Sequence, residues 1–352
     1  MIPYSITNTT LNQISTFTRL MERFSFLPED NVWRKKLLDL SMKKQAFAAV
    51  GIGRNLINTP IAEQSFSRSK EVFDEESLAE YRHYKALMKE LASSTEPQTD
   101  LTIDDVEALH SALIGQPRQE GSRHFRSTDG YVDKVIWEHG IKQMITLKVK
   151  TPVKDIERQM NAFLSWYFQA REAVNPIVLA AVAHYVIAEI HPYADGNGRL
   201  SRALTRLIMK MCGEKNFPLI SPEYYFYTNR ERYFDLLGKA VETLEVTEWI
   251  EFYSKGLLES VYSSFQDLLM ISGGSVDLTK HQITELTDRE TELLEMMNSK
   301  QQASAAELAS LIGVSRQNVN VILKRLVGKG LLVGVGEGTH SRYASKLLSM
   351  SY

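Results

Sequence analysis

Hydrophobic positions along the chain recur mostly at three- and four-residue spacing, the period of a helix that buries one face. Mixed spacing of this kind over residues 11–26 stops at Pro28-Glu-Asp-Asn, and two further segments, 33–49 and 75–93, repeat it. Together they predict a helical region over residues 1–100. The polar stretch 95–103 reads as a loop, and 103–113 as a helix with Asp100 or Thr102 near its start. Alternation from Tyr131 to Trp137 suits a strand, and Thr151-Pro152 opens another helix. The strongest signal is residues 177–190, apolar almost throughout and introduced by Asn175-Pro176. Asn at the cap and Pro at the first helical position start a helix well. The run suits a buried helix of about four turns at roughly 3.6 residues each, ending at His191. Leu200, Ala203, Leu204, Leu207, Ile208 and Met211 then predict a second helix beginning near Gly196 and terminated by Gly213.

Beyond it, 218–222 reads as a loop, and 223–237 is rich in Tyr and Arg. Trp249 to Tyr253 has the composition of a packed segment. Residues 266–284 lose the apolar pattern from about 270 onward and read as a linker. A small unit follows over 285–352. Thr287-Asp-Arg-Glu290 and Ser304-Ala-Ala-Glu307 are capping boxes, each opening a helix. Ile312-Gly-Val is a turn, Ser315 caps a helix to Leu326, and 329–343 reads as strand, turn and strand. Helix, short helix, turn, helix and hairpin are the parts of a winged helix-turn-helix.

Composition narrows the class. At 352 residues the chain is long enough for two or three domains, and 43% hydrophobic with 24% charged residues is ordinary for a globular protein. A net charge of −2 excludes a generally polyanion-binding surface, so any basic patch must be local. The lone Cys212 excludes an internal disulfide and fits a reducing compartment. Its apolar neighbours suit a core residue better than a nucleophile. The N-terminus lacks the pattern of a signal peptide, and the longest apolar run is too short for a membrane span. A cytoplasmic location with no membrane partner is expected.

The chemistry concentrates in residues 191–202, His-Pro-Tyr-Ala-Asp-Gly-Asn-Gly-Arg-Leu-Ser-Arg. Gly196 and Gly198 leave backbone N–H groups open at a helix N-terminus, which favours an anion. Such charge–dipole contacts are worth about 0.3–1 kcal/mol each, so fixed cations are needed as well. Arg199 and Arg202, three apart, project from nearly one face and suit forked phosphate contacts. Asp195 can hold a hard cation such as Mg2+ between phosphates. His191 has the side chain best suited to taking a proton from a hydroxyl near neutral pH. A lone His usually does no more than cap or pack, but that does not explain four polar roles in twelve residues. The stretch reads as a nucleotide-handling site.

These residues resemble the Fic domain signature His-x-Phe-x-(Asp/Glu)-Gly-Asn-Gly-Arg-x-x-Arg, with Tyr193 in place of the usual Phe. The resemblance implies a mainly α fold: a Fic-like helical core at 101–265 with a small β-hairpin flap, after an N-terminal helical region at 1–100. A linker at 266–284 and a C-terminal winged helix domain at 285–352 complete it. It implies a protein adenylyltransferase that moves AMP from ATP to a Ser, Thr or Tyr hydroxyl of a protein, with release of pyrophosphate. Carried over by position, His191 is the general base, Asp195 the Mg2+ ligand, Gly196, Asn197 and Gly198 the anion-binding turn, and Arg199 and Arg202 the outer-phosphate ligands. Gly121 to Arg126, followed by Val135-Ile-Trp137, resembles the approach to the flap, which pairs with target backbone. Asn229 and Tyr233 are candidates for the adenine and ribose side, with aromatic packing the alternative. Oligomeric state stays open, a homodimer included.

Many relatives also carry (Ser/Thr)-x-x-x-Glu-(Gly/Asn) in the N-terminal region, a glutamate that obstructs the γ-phosphate. Residues 43–55 resemble its surroundings, yet Gly53 or Arg54 falls where that glutamate belongs. A second register, Thr59-Pro-Ile-Ala-Glu63, keeps Glu63 as the inhibitory candidate. Alternatives within the class are another phosphate donor or removal of AMP. A different class is a DNA-binding regulator whose nucleotide site only senses ligand. Arg316, Gln317 and Asn318 would start its recognition helix. Between 314 and 352, Arg316, Lys324, Arg325, Lys329, Arg342 and Lys346 are opposed by Glu337 alone, so DNA or protein docking through 285–352 is expected.

Overall fold

The computed structural model describes residues 2–54, 73–93, 100–116, 124–138, 141–149, 151–300, 302–336 and 342–349. Glu63 and the start of the approach to the flap, 121–123, lie outside the described residues. The fold is mainly α. It divides into two compact units, Met1–Met21 with Leu40–Val261, and Glu22–Asp39 with Tyr262–Tyr352.

The larger unit is built around two adjoining helices, α6 (Pro176–Ile190) and α7 (Asn197–Met211). The side-chain oxygen of Asn175 accepts the Ile177 N–H at 2.9 Å, the cap that the sequence announces. Nearly every residue of α6 is buried, so it carries no polar face and forms the central layer. Around the pair lie α1 (Asn8–Met21), the C-terminal half of α2 (Val32–Arg54), α3 (Glu75–Ser93) and α4 (Ile103–Ile114). Thr102 caps α4 with a reciprocal Asp105 box, and Gly115 ends it. Next come α5 (Ile156–Ala170), α8 (Pro222–Thr228), α9 (Arg230–Thr243) and most of α10 (Thr247–Ile271). Trp249 is buried and its Nε1 donates to the Ala181 carbonyl at 2.7 Å, which ties α10 to α6 in the packing role its composition suggests. An antiparallel hairpin, β1 (Tyr131–Glu138) and β2 (Ile141–Lys148), pairs Tyr131 with Lys148 and Glu138 with Ile141. This is the predicted flap, and its first strand covers the alternating segment.

In the second unit, α11 (Asp288–Ser299), α12 (Ala305–Ile312) and α13 (Arg316–Gly328) start at Thr287, Ser304 and Ser315 as expected. A short strand, β5 (Ala303–Ser304), pairs with β7 (Arg342–Ser345), which pairs in turn with β6 (Leu332–Val335). At two residues, β5 is too short to leave an alternating pattern. Leu293, Leu294, Met297, Leu308, Val319, Leu323, Leu326 and Leu332 form the core of this winged-helix arrangement.

Two expectations about domains need correction. The 266–284 stretch is not an open linker: α10 runs to Ile271, and β3 (Val276–Asp277) then pairs with β4 (Gln282–Ile283). Gly273 and Gly274 take positive φ of 57° and 82° to make the turn. Ser272 Oγ accepts the Val276 N–H at 3.1 Å, Asp277 Oδ1 accepts the Thr279 N–H at 3.0 Å, and Leu278 is buried. Local side-chain-to-backbone bonds order this polar segment, so apolar periodicity could not reveal it. The N-terminal region is also not one piece, because Glu22–Asp39 belongs to the second unit. There Phe24 meets Phe265 edge-on at 5.0 Å, and Arg23 Nη1 donates to the Leu278 carbonyl at 2.9 Å.

Candidate active site

The motif loop joins α6 to α7, and its shape is fixed by specific contacts. His191 caps α6 in the left-handed region at φ 51°, a conformation that costs a non-glycine residue on the order of 1 kcal/mol or more. Arg126 holds it there. Its Nε donates to the His191 carbonyl at 2.8 Å, its backbone N–H to the Pro192 carbonyl at 2.8 Å, and its Nη1 to Thr128 at 3.0 Å. The same buried guanidinium reaches the carbonyl of Thr151, just past the hairpin, so the motif loop and the base of the hairpin share one clamp. Asn197 closes the turn: its Oδ1 accepts the Tyr193 N–H at 2.9 Å and its Nδ2 donates to the Tyr193 carbonyl at 2.7 Å. Tyr193 stacks on His110 with ring centres 3.6 Å apart, and His110 Nε2 lies 2.9 Å from the Asp195 carbonyl. The tyrosine thus keeps the packing role of the usual phenylalanine.

Gly196 precedes α7 at φ 80°, and a Cβ there would come within 3.3 Å of His110 Nε2. The positive φ favours glycine, and a Cβ would also need His110 to give by a few tenths of an ångström. Glycine offers no capping side chain, which leaves the first-turn N–H groups of α7 turned toward the cavity end of the helix. Arg202 is buried; its Nη2 donates to the Ala49 carbonyl at 2.8 Å and its Nη1 to Tyr233 Oη at 3.3 Å. Tyr233 in turn lies 2.8 Å from His184 Nε2. Since Arg202 can only donate, Tyr233 accepts from it and gives its own proton to a neutral His184. Burial, with Arg202 adding to it, pushes the His184 imidazole well below its ordinary range, consistent with that direction.

A cavity of about 450 Å³ gathers His191, Ala194 to Arg199 and Arg202 with Ala49, Val50, Gly53, Glu76, Glu80 and Tyr131. The residues singled out at 191–202 therefore do converge. Asn229 and Tyr233 do not line this cavity. Asn229 bonds to Tyr225 and Thr228 at the break between α8 and α9, and Tyr233 is 2% exposed behind Arg202. The burial of Tyr233 fits the packing alternative, while the contacts of Asn229 are local to that break. Gly53 borders the cavity with open space where a side chain would project, so the end of α2 faces the site with no carboxylate at that position. Glu80, on α3, was not foreseen: its Oε1 lies 3.1 Å from Arg199 Nη2, which also meets Asp195 Oδ2 at 3.0 Å. No motif or periodicity in the sequence marks it. His110 carries no such mark either, and Arg126, although it ends the segment that resembles the approach to the flap, supports the motif loop through contacts the sequence does not show.

Burial pushes the His191 imidazole down to about 4, with the nearby Arg126 lowering it further and the Ala188 carbonyl and Asp195 opposing. His191 is thus neutral at pH 7 and able to accept a proton. We expect its resonances in the free protein to titrate near pH 4 rather than 6.5, and to move upward when a nucleotide brings negative charge. An unshifted midpoint near 6.5 would contradict the buried placement. Because the folded value is depressed, His191 contributes stability above the unfolded value of about 6.5, lost as pH falls toward 4.

Comparison with known proteins agrees with this geometry. Residues 100–209 match the Fic/DOC family and residues 284–342 the MarR family. A curated relative, protein adenylyltransferase Fic of Nematostella vectensis, is 29% identical over 193 residues, 54% of this chain and 39% of the relative. Protein adenylyltransferase fic-1 of Caenorhabditis briggsae is 31% identical over 134 residues, 36% of this chain and 23% of the relative. The chain therefore spans well under half the length of these curated relatives. Among solved structures, a Fic family protein from Desulfovibrio desulfuricans G20 shares the fold with a TM-score of 0.61 at 19% identity, covering 98% of both chains. Fic-1 (residues 134–508) of C. elegans gives 0.56 at 18% identity, covering 74% of this chain and 72% of that one. The chain carries a Fic domain followed by a MarR-like winged helix. Among the described residues, no helix is long and apolar enough to cross a membrane.

Proposed function

We propose that this protein transfers AMP from ATP to a Ser, Thr or Tyr hydroxyl of a protein, itself included. The observation that carries this is the convergence of a neutral His191, the Gly196 turn, Arg199 and Arg202 on one cavity. His191 accepts the proton as the hydroxyl oxygen bonds to the α-phosphorus. The bond from that phosphorus to the β-phosphate bridging oxygen breaks, and pyrophosphate leaves. The α7 N-terminus and the two arginines hold the phosphates against the charge that develops, so catalysis is mainly positioning and electrostatic. Proximity to the nucleotide's own negative charge raises the basicity of His191, bringing its pKa nearer the working pH.

Mg2+ fits this donor set. Among the described residues no cluster of three or more acidic, His or Cys side chains could cage a metal. Mg2+ commonly needs only one or two carboxylates beside phosphate and water, and the 81% exposed carboxylate of Asp195 is such a group. When bound, the ion would neutralise phosphate charge. The flap would hold a target segment by backbone pairing along β1 or β2, near Tyr131 at the cavity edge. Intact-mass measurement after incubation with MgATP, alone and with candidate proteins, tests the reading: an added AMP supports it, and an added phosphate or no change would sink it.

A second function, docking on DNA by the winged helix, is favoured by Arg316, Gln317 and Asn318, all exposed at the start of α13. The local charge is lower than the sequence suggests, because Lys329 pairs with Glu290 at 2.8 Å and Arg342 with Glu307 at 2.8 Å. Binding should therefore be modest, with log affinity against log salt falling by about 0.9 per phosphate contacted, and shallower after Arg316→Ala. A mobility shift independent of salt would argue for docking on protein instead.

A further inference from the structure

We propose, on the reading of this cavity as an AMP-transfer site, that Tyr131 of the same chain is itself an acceptor, its phenolic oxygen taking the AMP. Among the described residues that line the cavity, Tyr131 alone carries a hydroxyl; the others offer carboxylate, amide, guanidinium or imidazole groups, or no polar side chain. Tyr131 borders the same space as His191 and is 61% exposed, so burial does not withhold its side chain. Its backbone, by contrast, is held. The Gly130 carbonyl accepts the Val149 N–H at 2.8 Å, and Tyr131 opens β1 in register with Lys148. Just upstream, Arg126 grips the carbonyls of His191, Thr128 and Thr151, which fixes the base of the hairpin against the motif loop. The hydroxyl thus hangs from a fixed base on a side chain that reorients on the picosecond-to-nanosecond scale of exposed residues.

The step balances with ATP as the only other reactant. Tyr131 Oη bonds to the α-phosphorus, and the bond from that phosphorus to the bridging oxygen of the β-phosphate breaks. The phenolic proton passes to His191, pyrophosphate leaves, and a phosphodiester links AMP to the ring. An acceptor tethered beside the site has an effective concentration on the order of mM. A protein in solution reaches the same cavity by diffusion from far lower concentrations, so the tethered hydroxyl is served first. Ser127 and Thr128, also exposed on the approach to the hairpin, are the competing hydroxyls next along the chain, and neither lines the cavity. One acceptor in the cavity limits the reaction to one AMP per chain.

The test maps the modification on the full chain. Protein incubated with MgATP, alone and with a lysate, is digested with trypsin, which cuts after Arg126 and Lys134 and leaves Ser127, Thr128 and Tyr131 on one peptide. Fragmentation of that peptide assigns the AMP to one of the three. We expect a single AMP per chain, on Tyr131, formed at a rate constant that does not change with protein concentration. A His191→Ala chain mixed with the unaltered one should stay unlabelled, because transfer occurs within one chain. Tyr131→Phe, with an unaltered melting curve, should lose the modification. AMP on Ser127, on Thr128 or on another peptide would overturn the proposal, as would label passing to the His191→Ala chain or persisting in Tyr131→Phe. AMP on lysate proteins with none on the chain overturns this inference and leaves the functional reading standing. AMP on neither overturns both.

Discussion

Replacing His191 by Ala should lower AMP transfer by about 10²- to 10⁴-fold, the range for loss of a general base, and leave nucleotide affinity within a few-fold of wild type. The split follows from geometry. On the proposed reading the anion contacts would fall to the Gly196 turn, Arg199 and Arg202, which line the cavity together with His191, and not to the imidazole. Arg126 grips the backbone carbonyls of residues 191 and 192, so the clamp survives loss of the side chain. Alanine at a positive φ is somewhat strained, as histidine already is there. Calorimetric binding beside the transfer assay separates the effects. Transfer that persists undiminished would remove His191 as the base, and affinity lost in parallel would point to collapse of the loop.

The largest expected effect on stability comes from Glu223. Arg206, one turn beyond Arg202 on α7, donates from Nε to Glu223 Oε1 at 2.6 Å and from Nη2 to Oε2 at 2.5 Å. Both side chains are at most 5% exposed, and Tyr84 Oη adds a donation to Oε1 at 3.1 Å. Removing one partner strands a buried charge, which typically costs about 3–5 kcal/mol. Glu223→Ala should therefore shift the denaturant midpoint strongly downward. Replacing both residues together, Arg206→Met with Glu223→Leu, should recover much of the loss, because the desolvation penalty disappears with the pair. A small shift in the single variant would mean that water reaches the site. The pair anchors the helix that carries Arg199 and Arg202, so on the proposed reading damaged nucleotide binding should accompany the lost stability.

The sequence made the helices legible where one physical signal dominated. Apolar continuity gave α6, the Asn175-Pro176 start gave its first residue, and capping boxes gave the starts of α11 and α12. The motif residues were legible because the loop supplies them in one short segment. What stayed hidden depends on long-range placement. Glu80 and Arg199 are far apart in the chain, and nothing in the pattern of α3 distinguishes the face turned to the cavity. Tyr233 lies in an aromatic-rich stretch where packing and ligand contact look alike, and only its burial behind Arg202 separates them. The 272–284 turn escaped because it is ordered by hydroxyl and carboxylate bonds to backbone instead of by apolar contacts. The basic balance of the C-terminal unit was overread because Glu290 and Glu307, which neutralise Lys329 and Arg342, precede the counted segment.

The most direct test of the account follows the phosphorus. Purified protein is incubated with Mg2+ and ATP labelled either on the α- or on the γ-phosphate, alone and with a lysate. The account predicts protein-bound label from the α-phosphate, none from the γ-phosphate, and release of pyrophosphate in equal amount. Label entering from the γ-phosphate would contradict it, since the bond broken would then lie at the wrong phosphorus for a site built around His191 and the Gly196 turn.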